Sequence, residues 1–252
     1  ADVIQSGAVQ NTANTYDYRS KAASPYLDAS GTPFDDARYA DGSQPFPAVN
    51  AASFPYTPVL PAGQQHAKQP GWLNDVTMYH NRGNSTFAGE SGSYGDFYGL
   101  DDLFTERPEV VKGMEDIYDT WIRKTGVDGF RIDTVKHVDM DFWQQFIPQI
   151  TKYARDHGKP DFFSFGEGYD SAPATTSPYV TQGKLQSTLD FPFQNAAREY
   201  VSQGASARTL SQLFAADADY NAASSNAYEL PTFLGNHDMG RIGSFLTSDN
   251  PK

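Results

Sequence analysis

From about residue 104 onward, short apolar runs alternate with helical stretches, and this alternation constrains the fold more than any other feature of the chain. Thr105-Glu106-Arg107-Pro108 opens a helix with proline in its first turn. Val110, Val111, Met114, Ile117, Tyr118, Trp121 and Ile122 then recur at helical spacing until Gly126 stops it. Residues 127–133 read as a short strand. A second helix carries Phe142, Trp143, Phe146, Ile147, Ile150 and Tyr153 on one face, with a kink expected at Pro148. Residues 162–167, 185–190 and 230–235 are three further strand candidates, separated by helical stretches near 195–202 and 209–216. Such alternation implies parallel βα units. Four units are too few to close a barrel, which takes eight of each. The expectation is therefore an open sheet, or part of a barrel whose other strands lie outside this sequence.

Residues 1–103 read differently. They are rich in Gly, Pro, Asn, Ser and Tyr, with turn signals at Ser30-Gly31, Asn81-Arg82-Gly83 and Gly92-Ser93-Tyr94-Gly95, and no helical period longer than two turns. Their many aromatics (Tyr16, Tyr18, Tyr26, Trp72, Tyr79) argue for an ordered excursion with short strands and against a flexible linker. The division read from the sequence is thus 1–103 and 104–252. The formal charge is −12, which argues against nucleic acid or an anionic membrane as main partner and is compatible with a neutral sugar and a divalent cation. No cysteine is present, so disulfides and thiolate metal sites are excluded, and no apolar run approaches the ~20 residues that span a bilayer. The chain starts at Ala1 without Met and stops at Pro251-Lys252, which reads as an excerpt of something longer.

Three of the strand candidates end on acids. In Val127-Asp128-Gly129-Phe130-Arg131-Ile132-Asp133, period-two alternation puts Arg131 and Asp133 on one face, opposite Phe130 and Ile132. Phe162-Phe163-Ser164-Phe165-Gly166 runs into Glu167, and the 230–235 run leads to Asn236-His237-Asp238. An Asp beside an Arg at one strand end is explained equally well by a structural ion pair. Three acids at the C-terminal ends of parallel strands, with an Arg and a His among them, point to catalysis, because active sites of such folds gather there. Glycosidic cleavage with retention uses one carboxylate as nucleophile and one carboxylic acid as proton donor, about 5–5.5 Å apart. The donor keeps its proton near neutral pH when burial or nearby negative charge raises its pKa.

With these residues in hand, Gly129-Phe130-Arg131-Ile132-Asp133-Thr134-Val135-Lys136-His137 resembles the strand-four motif of the α-amylase family of glycoside hydrolases. Phe165-Gly166-Glu167 resembles its strand-five motif, Phe233-Leu234-Gly235-Asn236-His237-Asp238 its strand-seven motif, and Gly99-Leu100-Asp101-Asp102-Leu103 a motif near the end of its loop domain. The first is highly specific, Gly-Glu alone is weak, and the ordered set is strong. The resemblance covers essentially the whole chain. It implies an α/β fold, a partial (β/α)8 TIM barrel holding about strands four to seven, with residues 1–103 as a loop domain inserted after strand three. It also implies Asp133 as nucleophile, Glu167 as general acid/base and Asp238 as stabiliser of the distorted sugar and the transition state. Arg131 would position Asp133, His237 would bond sugar hydroxyls, and Lys136 and His137 would line the leaving-group side. A structural calcium is implied, with Asp102, the backbone carbonyl of His137 and, at a plausible spacing, Glu90 as ligands. The family's strand-three motif, strands one, two and eight, and the small β-domain that usually follows are missing, so the excerpt by itself is expected to show little activity.

The implied function is extracellular hydrolysis of α-glucosidic bonds, α-1,4 first, in starch-like glucans or maltodextrins, with Tyr94, Phe97, Tyr98 and Trp72 as aromatics able to stack on sugar faces. Cleavage of α-1,6 bonds, glucosyl transfer on the same acids, and a non-catalytic carbohydrate-binding relative are the alternatives. A phosphate binder is set aside, since no glycine-rich loop follows a strand.

Overall fold

The computed structural model describes residues 16–246. In chain order its strands are β1 (Tyr26–Leu27), β2 (Pro33–Phe34), β3 (Gly129–Ile132), β4 (Phe163–Gly166) and β5 (Ser187–Thr188). Its helices are α1 (Ser91–Tyr94), α2 (Pro108–Thr125), α3 (Met140–Asp156), α4 (Pro173–Thr181), α5 (Phe191–Ser202) and α6 (Ala207–Ala215). Two compact units result, one of residues 1–128 with 136–161 and one of residues 129–135 with 162–252. The long helices α2 and α3 therefore belong with the irregular N-terminal part. No helix among the described residues is long and apolar enough to cross a membrane.

In the first unit, α2 begins at Pro108, whose missing N–H costs nothing in a first turn, and ends at Gly126 in the left-handed region at φ 67. Its buried stripe of Val110, Val111, Met114, Tyr118 and Ile122 packs on α3, with the Tyr118 and Phe146 rings edge to face at 4.8 Å. Asp139 caps α3 by accepting the Phe142 N–H at 3.0 Å, and the helix runs on through Pro148. The segment before α2 is ordered, as its aromatics foretold, by short β1 and β2, single bridges and 3-10 turns. Tyr26, Phe34, Phe46 and Phe54 gather with Phe104 into an aromatic core, Tyr26 and Phe104 lying 4.7 Å apart.

Buried charges staple that core. Arg82 is fully buried over the Tyr26 ring at 3.9 Å and donates to the carbonyls of Arg19 and Ser24. His80 lies between two carboxylates, Nδ1 2.9 Å from Asp102 Oδ2 and Nε2 2.7 Å from Glu106 Oε2. Burial lifts the carboxyls of Asp96, Asp102 and Asp139 to about 7 and pushes Glu106 up as well.

The second unit is built on a parallel sheet in the order β3-β4-β5. Gly129 pairs with Phe163 and Ile132 with Gly166, and Gly166 pairs in turn with Thr188. The run at 230–235, expected as a fourth strand, is not one. Pro231 has no N–H to give a ladder, and the backbone bond from the Asp190 N–H to the Pro231 carbonyl at 3.2 Å ties the segment to the start of α5. Helix α4 was not foreseen, because Pro178 sits inside it and its buried Thr176, Ser177 and Val180 make no apolar stripe.

The sheet leaves no room at Gly129, where an added Cβ would lie 1.9 Å from the Phe163 carbonyl oxygen. Gly129→Ala is expected to cost at least ~3 kcal/mol and to lower soluble yield. Gly158→Ala, at φ 82 in open space, is expected to cost only about 1 kcal/mol of left-handed strain. Urea unfolding of the two variants checks the contrast.

Candidate active site

The β3–β4 register decides which side chains meet. Arg131 stands beside Phe165, and the next residues on that face are Asp133 and Glu167. Backbone bonds carry the pairing past the strand ends, from Glu167 N–H to the Ile132 carbonyl at 2.7 Å and from Val135 N–H to the Glu167 carbonyl at 3.1 Å. Asp133 and Glu167 therefore occupy neighbouring positions on adjacent strands, a spacing of about 4.8 Å between backbones. Gly166 makes the approach possible, since a Cβ there would meet Val135 Cγ1 at 2.7 Å.

Asp133 accepts from Arg131 Nη1 at 2.5 Å, and its side chain is about a quarter exposed, at 27 %. The ion pair between these two residues, one of the readings of their shared face, is therefore present. Glu167 is 7 % exposed. Burial raises its carboxyl pKa, the Thr134 N–H bonded to Oε2 at 3.0 Å pulls it down, Asp133 raises it, Arg131 lowers it, and Asp238 raises it, with a net upward shift. Asp238 is among the charges that act on Glu167, although no strand carries it. Its segment is held by the Phe233 ring edge-on to Phe191 at 5.0 Å. The Asn236 side-chain oxygen accepts the Asp238 N–H at 2.9 Å. His237 Nε2 lies 3.2 Å from Asp238 Oδ2 at an open rim. One face of the second unit thus brings together Arg131, Asp133 and Glu167, and Asp238, with His237 beside it, adds its charge to that of Asp133 at Glu167.

Lys136, His137, Asp102 and Glu90 belong to the first unit. There the His137 ring stands 2.9 Å, through Nδ1, from the Gly92 carbonyl oxygen and packs against Phe87 and Phe97 at 5.5 Å each. Glu90 is exposed, and its Oε1 accepts from the Tyr18 hydroxyl at 2.6 Å and the Lys21 N–H at 2.8 Å. Burial works against its charge, but those two donors hold its carboxyl below the usual range. Asp102 is buried with Oδ2 on His80. Among the described residues no three His, Cys, Asp or Glu side chains group as a metal site.

Of the aromatics expected to face sugar, Tyr94 has Lys21 Nζ over its ring at 3.7 Å, and Trp72 packs so closely on α2 that a Cβ on Gly113 would lie 2.5 Å from the indole. Tyr98 is 62 % exposed and meets the half-exposed Phe87, a residue the sequence reading passed over, at 5.2 Å. The isolated Phe87 carried no periodic signal; only its neighbourhood reveals it.

The electrostatics make a testable statement. Asp238→Asn removes a negative neighbour, so the Glu167 carboxyl is expected to titrate at lower pH. Arg131→Met removes a positive one, so it is expected to titrate at higher pH. Carbon-13 NMR of glutamate-labelled protein reads both directions.

Comparisons with known proteins identify the family. Residues 56–252 match the family described as alpha amylase, catalytic domain. An alpha-amylase of Streptomyces lividans is 60% identical over 238 residues, 94% of this chain and 26% of that protein. A cyclomaltodextrin glucanotransferase of Bacillus licheniformis is 33% identical over 178 residues, 68% of this chain and 23% of that protein. Among solved structures, an alpha-amylase from Geobacillus thermoleovorans complexed with acarbose aligns with a TM-score of 0.58 at 30% identity, covering 69% of this chain and 38% of that one. An Anoxybacillus alpha-amylase aligns at 0.59 and 28% identity, covering 73% and 40%. The chain spans about a quarter of the length of these curated relatives. With a three-stranded parallel sheet in which β3 and β4 lead into Asp133 and Glu167, and a family match over most of its length, the chain belongs to the α-amylase family and forms part of that family's TIM-barrel catalytic domain.

Proposed function

We propose that the protein to which this chain belongs is a retaining glycoside hydrolase that cleaves α-glucosidic bonds, α-1,4 bonds first, in starch-like glucans or maltodextrins. The observation that carries this reading is the adjacency of Asp133 and Glu167 at the ends of β3 and β4, one paired with Arg131 and the other buried with a raised pKa. Two carboxyls on neighbouring strands suit the roughly 5–5.5 Å spacing of the retaining mechanism. The Asp133 carboxylate attacks the anomeric carbon while the Glu167 hydroxyl gives its proton to the departing glycosidic oxygen. The bond to the leaving sugar breaks with its electron pair, and an ester to Asp133 remains. Water, losing a proton to Glu167, then attacks the same carbon and frees Asp133. Asp238 and His237 are assigned to hydroxyls of the sugar under attack, Asp238 steadying positive charge at its ring. Lys136 and His137 are assigned to the leaving-group side, and exposed Tyr98 and Phe87 supply apolar faces suited to stacking on sugar rings. A polymer too large to enter a cell calls for a secreted enzyme.

Likeness to a cyclomaltodextrin glucanotransferase supports a second reading, glucosyl transfer, in which a sugar hydroxyl takes the place of water. In the full-length protein, Glu167→Gln and Asp133→Asn are each expected to lower kcat on amylose at least about 10³-fold. The anomer first released is expected to be α by proton NMR. Turnover surviving Glu167→Gln would sink the hydrolase reading, and cyclic or elongated products from amylose would favour transfer; pullulan as substrate separates α-1,6 cleavage.

A structural calcium belongs to the same proposal. Asp102 fits a cation: its carboxylate is buried, lifted to about 7 by burial and by Asp96 despite His80, and a divalent ion would relieve that cost. The His137 carbonyl is the second assigned ligand. Glu90 fits less well, since Tyr18 and Lys21 already occupy its Oε1. Bound there, calcium would supply structural cohesion and no step of the reaction. Chelation of the full-length enzyme is expected to lower Tm, with recovery on adding calcium; an unmoved Tm would remove calcium from the account.

A further inference from the structure

Thr134 is a β-branched residue at φ 49, in the left-handed region that such residues avoid. What holds it there is its setting between two residues tied to Glu167. Ile132 accepts the Glu167 N–H on one side, and Val135 donates its N–H to the Glu167 carbonyl on the other. Between these bonds the backbone reverses, and the Thr134 N–H comes to bear on Glu167 Oε2 at 3.0 Å. Two successive N–H groups, of residues 134 and 135, thus serve residue 167, one its carboxyl group and the other its carbonyl.

The chemical consequence concerns which oxygen carries the proton. A carboxylic acid has one carbonyl oxygen and one hydroxyl oxygen, and an N–H donor favours the carbonyl oxygen as its acceptor. With the Thr134 N–H on Oε2, the proton resides on Oε1. We propose that Thr134 is a positioning residue for the acid/base: its left-handed backbone aims an N–H at Glu167 Oε2 and so reserves Oε1 for the transferable proton. The proposal rests on the reading of Glu167 as general acid, but the contact itself is measurable without turnover. The work is done by the backbone, and the Thr134 hydroxyl has no part in it. Strained backbone next to the nucleophile is therefore kept because relaxing it would release the donor.

The test uses the full-length enzyme. Thr134→Pro has no N–H and cannot adopt φ 49. It is expected to lower kcat about 10²-fold with KM within about threefold, the size of a misplaced acid/base. Losing a donor that favours the carboxylate raises the pKa of the acid, so the basic limb of kcat/KM is expected to move up by about one pH unit. Thr134→Asn, which takes left-handed backbone readily and keeps the N–H, is expected to bring the limb back to the wild-type position. Should Thr134→Pro fail to fold by circular dichroism, the wild-type Thr134 amide proton provides the reading. Its NMR shift is expected to follow the Glu167 titration and to become flat in Glu167→Gln. A wild-type amide that ignores that titration, or a folded Thr134→Pro with an unmoved basic limb, overturns the proposal. An enzyme that leaves glucans uncut while the amide still titrates would reject the hydrolase reading and keep the contact.

Discussion

The chemistry of this chain depends on the parallel register between β3 and β4. Pairing Ile132 with Gly166 makes the next two residues, Asp133 and Glu167, neighbours on one face. A slip of one residue would turn one of the two acids to the opposite face, because the side-chain period of a strand is two. The register is guarded where the strands begin and end. Gly129 admits the Phe163 carbonyl at a distance no side chain permits, and Gly166 admits Val135. Those glycines hold the acids in position by having nothing of their own in the way.

The two acids then differ because their surroundings differ. Asp133 receives a guanidinium at its own strand end and keeps some contact with solvent, whereas Glu167 is buried at the end of β4 with Asp133 and Asp238 adding negative charge to its surroundings. One end of the sheet thus gives two like groups different surroundings, the kind of difference that the proposed nucleophile and acid roles call for. The first unit shows the same physics without a reaction in view. Arg82 and Lys21 bring charge into an aromatic core and find carbonyls, a carboxylate or ring faces there, and His80 sits between two carboxyl groups. Such groups order a segment with little regular secondary structure, because a buried charge tolerates few arrangements.

How much of this was legible beforehand varies with the element. Helices α2 and α3 announced themselves through apolar recurrence, and α2 also through Pro108 and Gly126 at its ends; the Asp139 cap of α3 emerged only in the structure. The acids at 133, 167 and 238 were legible because each follows an apolar run into polar residues. Helix α4 was hidden by Pro178 and by its Ser and Thr residues, which bury as well as apolar ones once their hydroxyls find carbonyls. The 230–235 run showed the opposite error. Its apolar residues are real, but Phe233 spends its ring on Phe191 and Pro231 offers a carbonyl without an N–H, so the segment is anchored without joining the ladder.

Local chemistry written in the chain determined the helix periods, their start and stop residues, the face shared by Arg131 and Asp133, and the identity of the three acids. Those properties depend on residues a few positions apart, and the backbone's two soft torsions translate them directly. Tertiary structure alone decided that burial raises the Glu167 carboxyl pKa, that Glu90 is committed to Tyr18 and Lys21, and that Tyr98 is exposed while Trp72 packs against α2. It also decided that Thr134 turns left-handed to bring its N–H to a carboxyl 33 residues away. Each of these turns on desolvation or on a hydrogen bond between distant residues. Neither quantity exists until the chain has closed upon itself.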